Sequence, residues 1–114
     1  MNQFKISSHL FGRNITAQVL VLSQGIHISL FGGDLPHIGA VSIAESEGGV
    51  YTKQFSGHKE GVISSEWAKK LVEAGYSPVV VEAGIHYDQL SQEGIAQVLQ
   101  LSENMRMRVM EKLA

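Results

Sequence analysis

The sequence has 114 residues, a formal net charge of −2 at pH 7 and no cysteine, and this length fits one domain, residues 1–114, with a single hydrophobic core. The scattered basic residues lack the electrostatic footprint of nucleic-acid binding, and the missing cysteines exclude thiolate catalysis. No apolar run approaches the roughly 20 residues of a membrane-spanning helix, and the opening stretch MNQFKISSHL lacks the features of a secretory signal. We therefore expect a cytoplasmic protein with neither nucleic acid nor membrane as its partner.

The first half of the chain alternates short β-type runs with turn residues. Residues 15–22, 26–31, 39–44 and 50–55 are rich in Val, Ile and aromatic side chains and are separated by Gly, Ser and Glu. This pattern predicts four antiparallel strands that follow one another as a meander. The residues before them are expected to form a polar opening segment.

The second half predicts two helices around one buried strand. Apolar residues recur at helical spacing from Val62 to Val72, and Gly75 is a candidate cap at the end of that helix. Three consecutive valines at 79–81 predict a strand inside the sheet, parallel to one neighbour. A long amphipathic helix follows, with Ser91 as its N-cap. The expected fold class is α+β, a single mainly antiparallel sheet of about five strands with two helices packed on one face.

Three of the five histidines, His37, His58 and His86, lie beside glycine at the ends of predicted elements. His58 and His86 each follow a strand, and His37 precedes one that runs the other way, so all three can reach one sheet edge. Ligands of open α/β sheets bind at such an edge. A single loop histidine is more often a surface residue, and His9 and His27 fit that simpler interpretation.

Two kinds of site follow from these residue types. His37, His58 and His86 are candidate metal ligands, with nearby carboxylates to complete a mixed site, although no H-x-x-x-H pair fixes two of them on one helix. The helix start at Gly57, His58 and Lys59 offers backbone N–H groups to an anion, but it fits an ordinary capped helix equally well. The P-loop, dinucleotide and nucleophile-elbow motifs are all missing.

Taken together, the ordered motifs GGDLPHIGAV, GHKE and EAGIHYD resemble those of the LpdD-like prenylated-flavin chaperone family, which is associated with non-oxidative decarboxylases of hydroxyarylic acids such as gallate. The likeness extends from about Ile15 into the C-terminal helix. It implies a fold similar to that of proteasome assembly chaperones, and a homodimer. It also implies binding of reduced prenylated flavin mononucleotide (prenylated FMN), to carry it to a UbiD-like decarboxylase or protect it, without catalysis by this chain.

The resemblance also implies which residues bind the cofactor. As a physical hypothesis, the helix start at Gly57–Lys59 binds the flavin phosphate, while His37 and His86 contact the ring system or a divalent or monovalent cation that bridges to the phosphate. The complete set of candidate cofactor-binding residues is Gly33, Asp34, Pro36, His37, Gly39, Gly57, His58, Lys59, Glu60, Gly84, His86 and Asp88.

Two other functions remain open from the residues alone. Histidines near carboxylates also serve metal catalysis, so a small metal-dependent hydrolase or isomerase could use His37, His58 and His86 with Asp88. The chain could also be a protein-assembly module that binds a partner chain and no ligand.

Overall fold

The computed structural model describes residues 2–55 and 60–114, and over these ranges the chain forms six strands and two helices. In chain order they are β1 (Asn2–Leu10), β2 (Arg13–Val21), β3 (Ile26–Gly33), β4 (Ala40–Ala44), β5 (Val50–Gln54), α1 (Gly61–Glu73), β6 (Val79–His86) and α2 (Gln92–Leu113). The strands form one sheet in the order β1-β2-β3-β6-β4-β5. The predicted α+β class with a mainly antiparallel sheet and two helices is confirmed, with six strands instead of about five.

The position of β6 corrects the predicted meander. The valine-rich strand lies between β3, to which it is parallel, and β4, to which it is antiparallel. The second and third predicted strands are therefore not neighbours. A strand that is apolar on both faces is most stable in the middle of a sheet, where both of its edges are hydrogen-bonded, and here it separates β3 from β4.

The expected polar opening segment is in fact strand β1. It pairs with β2 along its whole length, from Asn2 opposite Val21 to Leu10 opposite Arg13. Every second residue of β1 is exposed and polar. These polar residues made the segment look like a loop in the sequence, although the positions between them are half-buried or buried. His9 lies on this strand, where its Nδ1 is 2.9 Å from Oδ1 of Asn14.

Both helices cover the same face of the sheet. Alternate residues of the central strands are buried on this face, and Trp67 of α1 packs into the core, where its indole N–H donates to Oγ of Ser102 on α2 at 3.0 Å. The largest fully buried side chains of the core are Trp67, Ile15, Ile28, Leu30, Leu71, Met105, Val19, Val79, Val81 and Val109. The core therefore lies between one sheet face and the two helices.

The helix ends follow the sequence signals. Ser91 caps α2 by accepting a hydrogen bond from the backbone N–H of Gly94 at 3.0 Å, as predicted. After α1, Ala74 is the C-cap and Gly75 follows with a φ of 103°, a left-handed conformation that favours glycine. Neither helix in the described part of the chain is long and apolar enough to cross a membrane.

The opposite face of the sheet, here called the open face, is covered by neither helix. The register places alternate side chains of the six strands on it, including the polar pair His27 and Glu82 near its centre. The large apolar side chains on the open face are Leu20, Phe31, Val41, Ile43, Tyr51 and Val80. Tyr51 is 66% exposed and Ile43 is 44% exposed, so a substantial part of this face is apolar surface in contact with solvent.

Candidate functional site

The strand order brings two of the three histidine loops together. Strands β3 and β6 are parallel and end side by side, with Gly33 opposite His86. Because β6 lies between β3 and β4, residues 34–39, which join β3 to β4, must cross the carboxyl end of β6. This crossing places His37 beside His86, with ring centroids 6.3 Å apart and ring planes at 78°. The expected convergence at one sheet edge therefore holds for His37 and His86.

Glycines allow the crossing loop to lie directly on the strand ends. A Cβ atom on Gly84 would overlap the carbonyl group of His37, and one on Gly33 would overlap the carbonyl group of His86. A Cβ on Gly39 would overlap the carboxylate of Glu60. Close contact with backbone thus requires glycine at 84 and 33, whereas Gly39 contacts the flexible end of the Glu60 side chain.

Asp34 ties the loop to two further segments. Its carboxylate accepts hydrogen bonds from the backbone N–H of Asp88 and from Nε of Arg13, both at 3.0 Å, and its own N–H donates to the carbonyl of His86 at 2.6 Å. The hydrogen bond from Asp88 is the main cause that lowers the pKa of Asp34, and Arg13 adds to it. Asp88 also accepts from Nε2 of His86 at 2.9 Å. These contacts fix the relative positions of the first and third motifs.

The His37 ring lies between a backbone carbonyl and a carboxylate. Nδ1 lies 2.9 Å from the carbonyl oxygen of Leu35, and since a carbonyl only accepts, Nδ1 carries a hydrogen. Nε2 lies 2.8 Å from Oε1 of Glu60, and the two side chains are 14% and 10% exposed. Glu60 is the N-cap residue of α1, but its side chain does not cap the helix. The side chain of Gln54 accepts from the N–H of Gly61 at 3.2 Å, and the Glu60 carboxylate lies beside His37.

A pocket of about 310 Å³ opens beside this histidine. It is lined by Phe31, Pro36, His37 and Ile38, and we call it the slot. Phe31 projects from the open face and Ile38 is 54% exposed, so the slot opens towards that face. Its walls are apolar or aromatic, which suits contact with a planar hydrophobic ligand.

The described side chains do not form a metal site. Residues 2–55 and 60–114 contain no group of three or more His, Cys, Asp or Glu side chains placed to hold a metal ion. Both ring nitrogens of His37 already face protein acceptors. Of the predicted metal candidates, His86 is half-exposed and bonded to Asp88, and His58 lies outside the described residues.

The predicted site residues divide into two groups. Those of the first and third motifs and Glu60 meet at one sheet edge: Gly33, Asp34, Pro36, His37, Gly39, Glu60, Gly84, His86 and Asp88. Gly57, His58 and Lys59 lie outside the described residues, so the predicted phosphate site at this helix start stays a prediction. Helix α1 begins at Gly61.

Sequence reasoning missed two residues that support the site, Arg13 and Gln54. Arg13 follows a tight turn in which Phe11 and Gly12 have φ values of 51° and 77°, and only the folded sheet brings it to Asp34. Gln54 ends strand β5 and gave no signal in the sequence. Of the aromatic residues near the motifs, Phe31 lines the slot, while Tyr87 is buried and its hydroxyl donates to the carbonyl of Leu10 at 2.8 Å.

Comparison with known proteins decides the family. A family model described as the prenylated flavin chaperone LpdD-like domain matches residues 10–114. The chain belongs to this family. The matched range contains all three motifs of the sequence, and it begins at the last residue of β1.

The fold has a relative among solved structures. A chain in the crystal structure of a chaperone complex for yeast 20S proteasome assembly superposes on this LpdD-like protein with a TM-score of 0.53 and 11% sequence identity, covering 93% of this chain and 99% of the other. At this identity the likeness shows a shared fold. A search of curated protein sequences gave no significant match. The LpdD-like protein is thus a member of a chaperone family with a proteasome-assembly-chaperone-like fold.

Proposed function

We propose that this protein binds prenylated FMN, in its reduced form, at the slot, and that it carries or protects the cofactor for a UbiD-like decarboxylase. The observation that carries the proposal is the slot itself, where Phe31, Pro36 and Ile38 form an apolar wall beside the ring of His37. Flat aromatic ligands bind in such places through contact with their faces and edges. The family of the chain agrees with this ligand.

The site suits a carrier better than an enzyme. Its ionisable groups have partners within the protein: His37 lies beside Glu60, Asp34 bonds to Arg13, and His86 bonds to the carboxylate of Asp88. General acid–base catalysis needs a group within hydrogen-bond reach of the ligand proton that it transfers, and these groups are instead committed to holding the loop. A carrier needs only a shaped pocket that binds its cofactor reversibly.

We further propose that the working unit is a homodimer formed through the open face. The slot volume of about 310 Å³ lies at the low end of the range of about 300–1,000 Å³ for ligand pockets. One chain therefore encloses only part of a ligand as large as prenylated FMN. A second copy packed on the open face would bury Ile43 and Tyr51 and would cover the slot, since Phe31 lies on the same face.

Anaerobic equilibrium titration with reduced prenylated FMN tests the cofactor role. We expect the unmodified protein to form a complex, and the double variant His37→Ala, His86→Ala to bind at least about tenfold more weakly, a difference of about 1.4 kcal/mol. His9→Ala, a histidine on β1 that contacts Asn14, serves as the matched control and should bind normally. The cofactor role is rejected if the unmodified protein forms no complex.

Delivery is tested separately with an apo-decarboxylase. Chaperone-bound cofactor that has been exposed briefly to air should activate the apo-enzyme more fully than free cofactor treated in the same way. Equal activation by both would contradict a protecting or carrying role, even if binding itself is observed.

Sedimentation tests the homodimer. We expect the unmodified protein to sediment at twice the mass of one chain, and Ile43→Glu on the open face to shift it towards a monomer. Val62→Glu is the control, because Val62 is 68% exposed on helix α1, on the other side of the sheet. A monomeric unmodified protein would overturn the dimer without affecting the cofactor proposal.

A further inference from the structure

The open face differs in polarity from one end of the sheet to the other. On β4 and β5 it carries the apolar side chains Val41, Ile43 and Tyr51. On β1 and the adjoining part of β2 it is polar. The register places six polar side chains there in two columns, Lys5, Ser7 and His9 on β1 beside Gln18, Thr16 and Asn14 on β2. The slot lies between the two regions, because Phe31 belongs to β3, which pairs with β2.

One row of side chains leads from the slot to the outer edge of β1. Phe31 lies opposite Thr16, and Thr16 lies opposite Ser7. The hydroxyls of Thr16 and Ser7 are hydrogen-bonded at 2.9 Å, and each hydroxyl can both donate and accept. Neighbouring strands are about 4.8 Å apart, so the row extends about 10 Å from β3 to β1. We call Thr16 and Ser7 the hydroxyl row.

The hydroxyl row ends at a guanidinium group. Nη1 of Arg108, on α2, donates to Oγ of Ser8 at 3.0 Å and to the carbonyl oxygen of Ser7 at 3.3 Å. These bonds hold Arg108 against the outer edge of β1. The guanidinium has five N–H donors in a planar fork, a geometry that matches a phosphate group.

A pocket of about 500 Å³ lies at this edge, and we call it the edge pocket. Arg108 lines it together with Lys5, Ile6, Glu111 and Lys112. Lys5 belongs both to the polar end of the open face and to the edge pocket. Arg108 and Lys5 therefore bring two cationic side chains to the outer end of the hydroxyl row.

The tail of a flavin mononucleotide has the chemistry that this surface would recognise. It is a ribityl chain with three hydroxyl groups, and it ends in a phosphate. Seven single bonds separate the ring from the phosphorus atom, a reach of about 8 Å when extended. A ring in the slot can therefore place the ribityl chain over the hydroxyl row and the phosphate at the outer edge of β1.

We propose that the hydroxyl row binds the ribityl chain of the cofactor, and that Arg108 and Lys5 bind its phosphate at the edge pocket. This inference rests on the proposed function and adds the direction in which the cofactor lies. The phosphate then points towards β1, and not towards the helix start at 57–59, where the sequence pattern predicted it. The apolar side chains of β4 and β5 remain the contact surface for the second copy in the proposed homodimer.

The first test measures the contribution of the phosphate. Reduced FMN and reduced riboflavin differ only in this group, and we expect the unmodified protein to bind reduced FMN at least about tenfold more tightly. The ratio should fall to about twofold or less in the double variant Lys5→Gln, Arg108→Gln. Lys69→Gln, at an exposed lysine on α1, is the matched control and should keep the full ratio. Lys59→Gln, at the helix start of the earlier prediction, should keep it as well.

The second test measures the contribution of the hydroxyl row. Thr16→Val removes a hydroxyl with little change of shape and should weaken the binding of reduced riboflavin about three- to tenfold. It should leave the affinity for reduced lumiflavin unchanged, because that flavin has a methyl group in place of the ribityl chain. Ser65→Ala removes a hydroxyl from α1 and should change neither affinity. Lumiflavin binding also shows that each variant still folds.

The outcomes separate this inference from the proposed function. An unchanged ratio in the double variant overturns the phosphate assignment, and a ratio lowered in Lys59→Gln alone would place the phosphate at 57–59. Equal losses of riboflavin and lumiflavin affinity in Thr16→Val overturn the ribityl assignment. All these results leave a flavin site standing. If plain flavins do not bind, the same variants are titrated with reduced prenylated FMN, and the double variant should lose at least about tenfold in affinity. If that ligand does not bind either, the proposed function fails and this inference fails with it.

Discussion

Replacing Gly84 with alanine would test how the crossing loop is held on the sheet. Gly84 lies in β6, is buried, and contacts the carbonyl group of His37, where an added Cβ would overlap both the carbon and the oxygen. Because the neighbour is backbone, the conflict can be relieved only by moving residues 34–39 away from β6. His37 and the slot would move with them.

The expected cost follows from three contributions. Forced overpacking costs about 1–3 kcal/mol. The adjacent hydrogen bond from the N–H of Gly39 to the carbonyl of Ala83, 2.9 Å long, is worth about 0.5–1.5 kcal/mol if it breaks. Against these, alanine in place of glycine at an ordinary strand position stabilises by about 0.4–1 kcal/mol. Gly84→Ala should therefore lower the free energy of unfolding by about 0.5–4 kcal/mol, and Tm by roughly 2–16 °C for a domain of this size.

Thermal unfolding followed by circular dichroism measures the stability, and anaerobic flavin titration measures the site. Gly48→Ala is the matched control, because Gly48 has a φ of 111° and a Cβ there would meet open space. The control should lose about 1–2 kcal/mol from backbone strain but bind flavin normally, whereas Gly84→Ala should lose stability and affinity together. A Gly84→Ala protein as stable as the unmodified one, or more so, would refute the close contact between loop and strand.

Two further predictions concern pH and the core. Because the Asp88 N–H and Arg13 lower the pKa of Asp34 below its ordinary value of 3.8, Asp34 stabilises the fold above that pH, and this contribution is lost as the pH falls through the lowered value. Tm measured against pH should fall less steeply at the acid end in Asp34→Asn, and identical curves would contradict the prediction. Ser102→Ala leaves the buried N–H of Trp67 without its hydrogen-bond partner and should lower the free energy of unfolding by about 1–3 kcal/mol. Urea unfolding followed by the fluorescence of this single tryptophan measures the loss. An unchanged urea midpoint would contradict the prediction.

The fold could be predicted where periodicity was strong. The three valines of β6 and the helical spacing of α1 and α2 identified three elements and a one-sided helix layer. The sequence did not predict that β6 separates β3 from β4, because strand order depends on which edges pair in three dimensions. It also missed β1, in which polar residues on the open face alternate with inward-facing Phe4, Ile6 and Leu10.

The glycine–histidine motifs of the sequence predicted one part of the site, the histidines at the sheet edge. Their spacing placed His37 and His86 at one edge, and the structure explains the glycines as points of contact with Glu60 and with the backbone of these two histidines. The partners that fix the histidines could not be read from the motifs. Arg13 lies 21 residues from Asp34, and the contact of Glu60 with His37 depends on where α1 begins relative to the crossing loop.

A crystal structure of the protein with reduced prenylated FMN, prepared anaerobically, would test the central claim most directly. The proposed site predicts the flavin ring in the slot, in contact with Phe31, Pro36 and Ile38 and beside the ring of His37, with a second copy of the chain over the open face. A ring bound elsewhere, for example in the cavity between α1 and α2 lined by Leu99, would contradict it.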